Sequence, residues 1–267
     1  MKNERLKITS GNAKIDVFTY ILSLPAGWSC PSAKLCKSMC DRESGKITDG
    51  KHTKFRCFMA SLEWLKSTRV TRWHNFDLLK SLKTSAAIAK TIIKSLEMLF
   101  VNDEMQSDKM TKYLRGCPEK DAEQIKFRIH GSGDFYSQKY FDAWLKVANK
   151  FPDIIFYAYT KSLKFWINRI DSIPTNLRLT ASIGGTQDNL IKVHNLKYVE
   201  VVLSEQEAID KGLEIDHNDS LCWGVNGSFA LLIHGTQPKG SEASKANALL
   251  RKTKKNGYKM NINLNKK

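Results

Sequence analysis

Cys30, Cys36 and Cys40 lie within eleven residues, in the spacing C-x5-C-x3-C, in a chain of 267 residues with six cysteines. Such a grouping is improbable by composition alone. A loop of this length can fold three thiolates around one inorganic centre, and thiolates select zinc or iron–sulfur chemistry. Three close ligands leave a fourth position for Cys222, Cys57, Cys117 or His52, or one open to substrate. Cys222, in Leu221-Cys222-Trp223-Gly224, joins the three as a candidate ligand. Cys57 follows Phe55-Arg56 on an apparent helix face and reads as core packing, and Cys117 sits in a turn. The plainer alternative is that the cysteines are small buried hydrophobes.

The second cluster is His130-Gly131-Ser132-Gly133-Asp134-Phe135, after an apolar run. Its two glycines would let a ligand approach the backbone. Asp134 can accept from an amine or hydroxyl, or cap the following helix. Arg128 and His130 alternate and so would share one strand face. Tyr159-Thr160-Lys161-Ser162 offers a lysine for phosphate or carboxylate at the next strand end. Ser182 closes the strand after that, before Gly184-Gly185. The catalytic candidates are Asp134, His130 and Lys161, and the cofactor-binding candidates are Ser132, Gly133, Asp134 and Ser182. His234-Gly235-Thr236 with Lys239-Gly240-Ser241 is a weaker loop of similar chemistry, able to offer backbone N–H groups to phosphate.

Elements able to position these residues follow from the apolar pattern. Runs at 17–24, 125–130, 154–159, 177–182, 198–203 and 229–234 read as strands. Residues 54–115 read as a helical insertion, with Phe58, Leu62 and Leu65, then Ile88, Ile92, Leu96 and Leu99, at helical spacing. Ser137–Phe151 reads as an amphipathic helix. Strands alternating with helices predict a parallel sheet whose C-terminal strand ends share one face, where ligands bind in such folds. One α/β domain is expected over 1–250. A basic tail follows over 251–267, with seven Lys or Arg and no acid.

The net charge of +16 points to an anionic partner, a nucleotide or nucleic acid; dispersed lysine from a biased composition is the plainer reading. No stretch has the eighteen or more apolar residues of a membrane span, and the charged N-terminus has no signal-peptide core. The expectation is a cytoplasmic protein with reduced thiols.

Taken together, Leu22-Ser23-Leu24-Pro25-Ala26-Gly27 leading into the cysteines, Arg128-x-His130-x-Ser132-Gly133-Asp134-Phe135-Tyr136, Tyr159-Thr160-Lys161-Ser162 and the His234-Gly235-Thr236 region resemble the phage gene product 88 family. That family implies no settled activity. The same arrangement is similar, more distantly, to a radical S-adenosylmethionine (SAM) partial barrel. That resemblance implies a parallel-strand partial (β/α) barrel with a [4Fe–4S] cluster on Cys30, Cys36 and Cys40. It also implies SAM bound on the open iron, with Ser132-Gly133-Asp134 in the place of a Gly-Gly-Glu motif. The usual spacing there is C-x3-C-x2-C, and Asp41 follows Cys40 where related phage proteins tend to carry an aromatic. The expected function is an iron–sulfur enzyme acting on an anionic substrate. The alternatives are a zinc-dependent nucleic-acid-binding protein and a phage effector directed at a host protein.

Overall fold

The computed structural model describes residues 5–11, 15, 19–105, 125–225 and 227–253, with only the backbone course for 100–105. The strands are β1 (Ile8–Ser10), β2 (Thr19–Ser23), β3 (Ser38–Cys40), β4 (Ile47–Asp49), β5 (Lys126–Ser132), β6 (Ile155–Thr160), β7 (Leu177–Ser182), β8 (Tyr198–Val202), β9 (Glu214–Ile215) and β10 (Phe229–Leu232). The helices are α1 (Phe58–Ser61), α2 (Lys66–Ser81), α3 (Ser85–Met105), α4 (Gln138–Lys150), α5 (Leu163–Ile167), α6 (Asn189–Val193), α7 (Glu205–Asp210), α8 (Ser220–Trp223) and α9 (Glu242–Lys252).

Eight strands form one open sheet in the order β1-β2-β5-β6-β7-β8-β10-β9. All neighbours pair in parallel except β1, which runs antiparallel to β2. From β2 to β8 the central strands follow chain order with no reversal. In a sheet wound this way, crossovers of one hand place their helices on one face. The expected α/β class and parallel sheet are observed, and the sheet is not a closed barrel. The strands expected at 125–130, 154–159, 177–182, 198–203 and 229–234 fall within a few residues of β5, β6, β7, β8 and β10; that at 17–24 appears as β2. The hairpin β3–β4 and the edge strands β1 and β9 were not anticipated.

The core explains α4. Tyr140, Phe141, Trp144, Val147 and Ala148 are fully buried on one face of it. They meet Phe127 and Phe156, with the Trp144 and Phe127 rings 5.5 Å apart. Each large side chain so buried stabilises by about 1.5–3 kcal/mol. Ser137 caps the helix by accepting from Tyr140 N–H, so the cap is Ser137 and not Asp134. In the expected insertion, Ile88, Ile92 and Leu96 of α3 are fully buried. Leu62 and Leu65 are not, because α1 stops at Ser61 and Leu65 turns extended. Gly116-Cys117-Pro118 and most of the basic tail lie outside the described residues.

A buried ion pair pins the insertion to the sheet. Glu63 is fully buried and accepts from Arg72 Nη1 at 2.7 Å and from the Ala26 N–H at 2.8 Å. Ala26 belongs to the turn that enters the cysteine loop. Arg69 completes the seam through the carbonyls of Glu63, Trp64 and Arg42. Removing one partner of such a pair leaves an uncompensated buried charge. Arg72→Met is therefore expected to destabilise the fold by about 3 kcal/mol, read from the urea midpoint at neutral pH.

Candidate functional site

The cysteine loop is stitched onto the C-terminal ends of β5 and β7. Leu24 N–H donates to Ser132 O, Lys34 and Leu35 N–H to Gly184 O, and Thr186 N–H to Ser32 O. Gly133 makes the first contact possible. Its φ is +92°, and a Cβ there would lie 2.5 Å from Ser29 Oγ and 2.7 Å from Leu24 Cβ. A Cβ on Gly131 would likewise strike Ile21 and Ser23. These glycines therefore admit the protein's own chain, not the ligand approach expected from the sequence.

The polar strand-end residues hold one another. Asp134 is buried and accepts from Phe135 N–H at 2.7 Å, Thr160 Oγ1 at 2.6 Å and Lys161 N–H at 2.8 Å. Burial pushes its carboxyl up against the downward pull of those donors. Lys161 Nζ donates to Ser182 Oγ at 2.6 Å, Ser182 O at 3.0 Å and Ile183 O at 2.7 Å. Ser162 Oγ donates to Phe135 O. Asp134, Lys161 and Ser182 thus tie β5 to β6 and β6 to β7. Ser132 Oγ is buried there without a hydrogen-bond partner among the described residues.

His130 takes another course. The β2–β5 register shifts between Ile21↔Arg128 and Ser23↔Ser132, so two residues of β2 oppose four of β5. Alternation breaks there, and Arg128 and His130 do not share a face. Arg128 reaches Asp219 at 2.7 Å, while His130 packs on Phe135 and its Nε2 lies 3.2 Å from Tyr140 Oη. Burial, then Arg128, lowers its pKa to about 3. It is neutral near pH 7 and belongs to the packing beneath α4.

The thiols part company. Cys30 is deprotonated only with difficulty: burial raises its pKa, and the charges of Asp134, Cys57 and Cys36 raise it further. Cys57 is raised to about 11 by burial and then by Cys36. Cys30, Cys36 and Cys57 thus share one electrostatic neighbourhood beside Asp134. Cys40 does not join it. Cys36 lies in a turn, and Cys40 stands at the far end of extended β3, which begins two residues later. Its Sγ donates to Glu63 O at 3.4 Å, and its pKa is raised by burial and then Glu63. Cys222 is a buried residue of α8, its Sγ 3.6 Å from Thr180 Oγ1, with its pKa raised to about 12 by burial and then Asp219.

Cys57, read from sequence as core, is carried to the loop by backbone anchors on both sides. Its N–H donates to Ser38 Oγ at 3.3 Å. Lys54 and Phe55 N–H reach Leu35 O, next to Cys36. Arg56 exchanges two hydrogen bonds with Gln237, and the Phe58 and His234 rings are 4.4 Å apart. The loop after β10, expected as a phosphate binder, thus serves to hold the Cys57 segment. Only pairing between residues distant in sequence reveals this. Among the described residues, no three or more His, Cys, Asp or Glu side chains form a group that could hold a metal ion as arranged.

Fold and site together define an α/β protein with a mostly parallel sheet and a cysteine loop docked across its strand ends. Residues 1–253 match the family described as Gene product 88, and the chain belongs to that family. It is 31% identical over 154 residues to the Gene 88 protein of Mycobacterium phage D29, covering 57% of this chain and 50% of that protein. It is 30% identical over 154 residues to the Gene 88 protein of Mycobacterium phage L5, covering 57% and 51%. The chain thus aligns over about half the length of these curated relatives. No solved structure matches it. No helix among the described residues is long and apolar enough to cross a membrane.

Two measurements test the assignments. Asp134→Ala strands three donors and is expected to cost about 3 kcal/mol in chemical denaturation; unchanged stability would return Asp134 to the pool of ligand-facing groups. For His130, the unfolded state takes up a proton below pH 6.5 while the folded state resists until about 3. Stability contributed by its neutral form is present above 6.5 and is lost as pH falls between those values. His130→Phe is expected to flatten that slope by up to one proton in a pH series of denaturant midpoints.

Proposed function

We propose that the chain is a thiolate metal-centre protein, in which Cys30, Cys36 and Cys57 hold an iron–sulfur cluster, or alternatively zinc, at the mouth of the parallel sheet. What supports this reading is that the charges of Asp134, Cys57 and Cys36 all bear on Cys30, so that thiols from two separate segments act on one another as neighbours, although among the described residues no three of them form a metal-holding group as arranged. The donor set fits: three soft sulfur ligands suit a cluster or zinc. Ligation requires them to turn toward a shared ion, and binding would replace their protons.

A bound cluster would supply electron transfer or an open iron for a ligand. The chain's own residues do the rest: Gly27, Gly184 and Gln237 fix the segments bearing the thiols, and Asp134 and Lys161 stiffen the platform below. SAM fits less well. Of Ser132, Gly133 and Asp134, which the radical SAM resemblance would set against it, Asp134 already holds three internal donors and Gly133 is packed on Leu24 and Ser29, so no step is assigned to that cofactor. Thiols free of disulfides suit a reducing cytoplasm.

Anaerobic purification followed by iron, sulfide and zinc analysis tests the reading. Wild type is expected to hold stoichiometric metal. Cys30→Ala, Cys36→Ala and Cys57→Ala should each lose it, while Cys40→Ala and Cys222→Ala keep it, all five being checked for folding by circular dichroism. Metal retained by Cys57→Ala and lost by Cys40→Ala would restore the C-x5-C-x3-C set. A wild type that stays metal-free after reconstitution would end the proposal.

A further inference from the structure

Beside the cysteine loop, on the side of β7, lies a cavity of about 670 Å³. Its walls come from the cysteine loop, from the turn after β4 and from the segment joining β7 to α6. Lys34, Lys37, Lys51 and His52 line it, with Thr186 and Asn189. Those walls are fixed by backbone. Lys34 and Leu35 N–H share Gly184 O, Gly50 N–H donates to Lys37 O, and Ala33 bridges Gly185.

The charges of this cavity are unbalanced. Asp188 is the one carboxylate lining it, and its two oxygens take Gly184 N–H at 2.8 Å and Gly185 N–H at 2.9 Å. Lys37 Nζ donates to Cys30 O at 2.9 Å. Among the described residues, no ion pair holds Lys34 or Lys51. Three ammonium groups around one hollow repel one another, and an anion among them reverses the sign of that energy. The volume is that of a small-molecule site. The hydroxyl of Thr186 and the amide of Asn189 add neutral hydrogen-bonding groups at one side.

We propose that this cavity binds a small phosphate-bearing ligand of the nucleotide class, its phosphates among Lys34, Lys37 and Lys51 and its sugar or base toward Thr186 and Asn189. The site shares the cysteine loop with the thiols, but none of the thiols lines it. It gives the chain's positive charge one specific place of use.

Isothermal titration of the full chain with adenosine diphosphate, inorganic pyrophosphate and adenosine tests it. The diphosphate is expected to bind saturably and more tightly than pyrophosphate, and adenosine not to bind. Lys34 and Lys51 are exposed, so Lys34→Gln with Lys51→Gln should preserve the fold. That double variant should weaken the diphosphate by about tenfold or more. Removing the same charge from exposed positions of α4, Lys146→Gln with Lys150→Gln, should change nothing. Equal weakening by both lysine pairs would reduce the effect to bulk charge and overturn the site. Absence of saturable binding by either phosphate probe would overturn it too, as would a single-stranded RNA oligomer binding where the diphosphate does not.

Discussion

Asp134 sits where three strands and one loop meet, and its carboxylate is the joint between them. A buried carboxylate is tolerable only when its oxygens are occupied. Here two backbone N–H groups and a threonine hydroxyl occupy them, drawn from the ends of β5 and β6. Hydrogen bonds to a charged acceptor are worth about 1.5–3 kcal/mol each. Lys161, whose N–H is one of those donors, sends its ammonium on to β7. Strand ends that would otherwise splay with the twist of the sheet become one platform. The cysteine loop can rest on it through backbone bonds alone.

The opposite side of the sheet is closed by the chain itself. Asp219 is fully buried, with a left-handed φ of +65°. It accepts from Arg128 at 2.7 Å and from the hydroxyls of Tyr157 and Tyr159 at 3.0 Å each. With α8 it covers β6 and β7, and Cys222, Leu221 and Phe229 fill the space around it. A guanidinium set in the sheet is costly without a partner, and Asp219 is the partner of Arg128. The sheet's face on this side is thereby filled by the chain's own side chains.

How much of this was legible from residues alone differs by level. The strands β5, β6, β7, β8 and β10 and helix α4 were legible because each is a short apolar run or a clear amphipathic face, bounded by Gly, Pro or Ser. The polar strand ends were legible as a cluster. Their use was not, since Asp134 bonded to its own backbone and Asp134 bonded to a ligand leave the same residues in the same order. The face of His130 was misjudged because a register shift in β5 leaves no mark in an alternation pattern. The nearness of Cys57 to Cys36 was not legible because spacing measures chain, not space. Cys36 and Cys40 are close in sequence and separated by extended strand, whereas Cys57 returns through hydrogen bonds from Lys54 and Phe55 to Leu35.

The state of the thiols decides between two kinds of cysteine chemistry. A nucleophilic or redox-sensing cysteine needs a depressed pKa, from a cation or a helix N-terminus beside it. Cys30 and Cys57 show the reverse: burial and the neighbouring sulfur and carboxylate charges all oppose ionisation. The Arg72 charge acts only weakly on Cys57 and does not offset burial. As free thiols these residues are poor nucleophiles near neutral pH. The crowding that makes each thiolate costly is, however, what a soft cation converts into binding energy, because one metal neutralises all of them at once and deprotonates its ligands on coordination. Cys30 and Cys57, held protonated by their burial, are unsuited to attacking a substrate unaided.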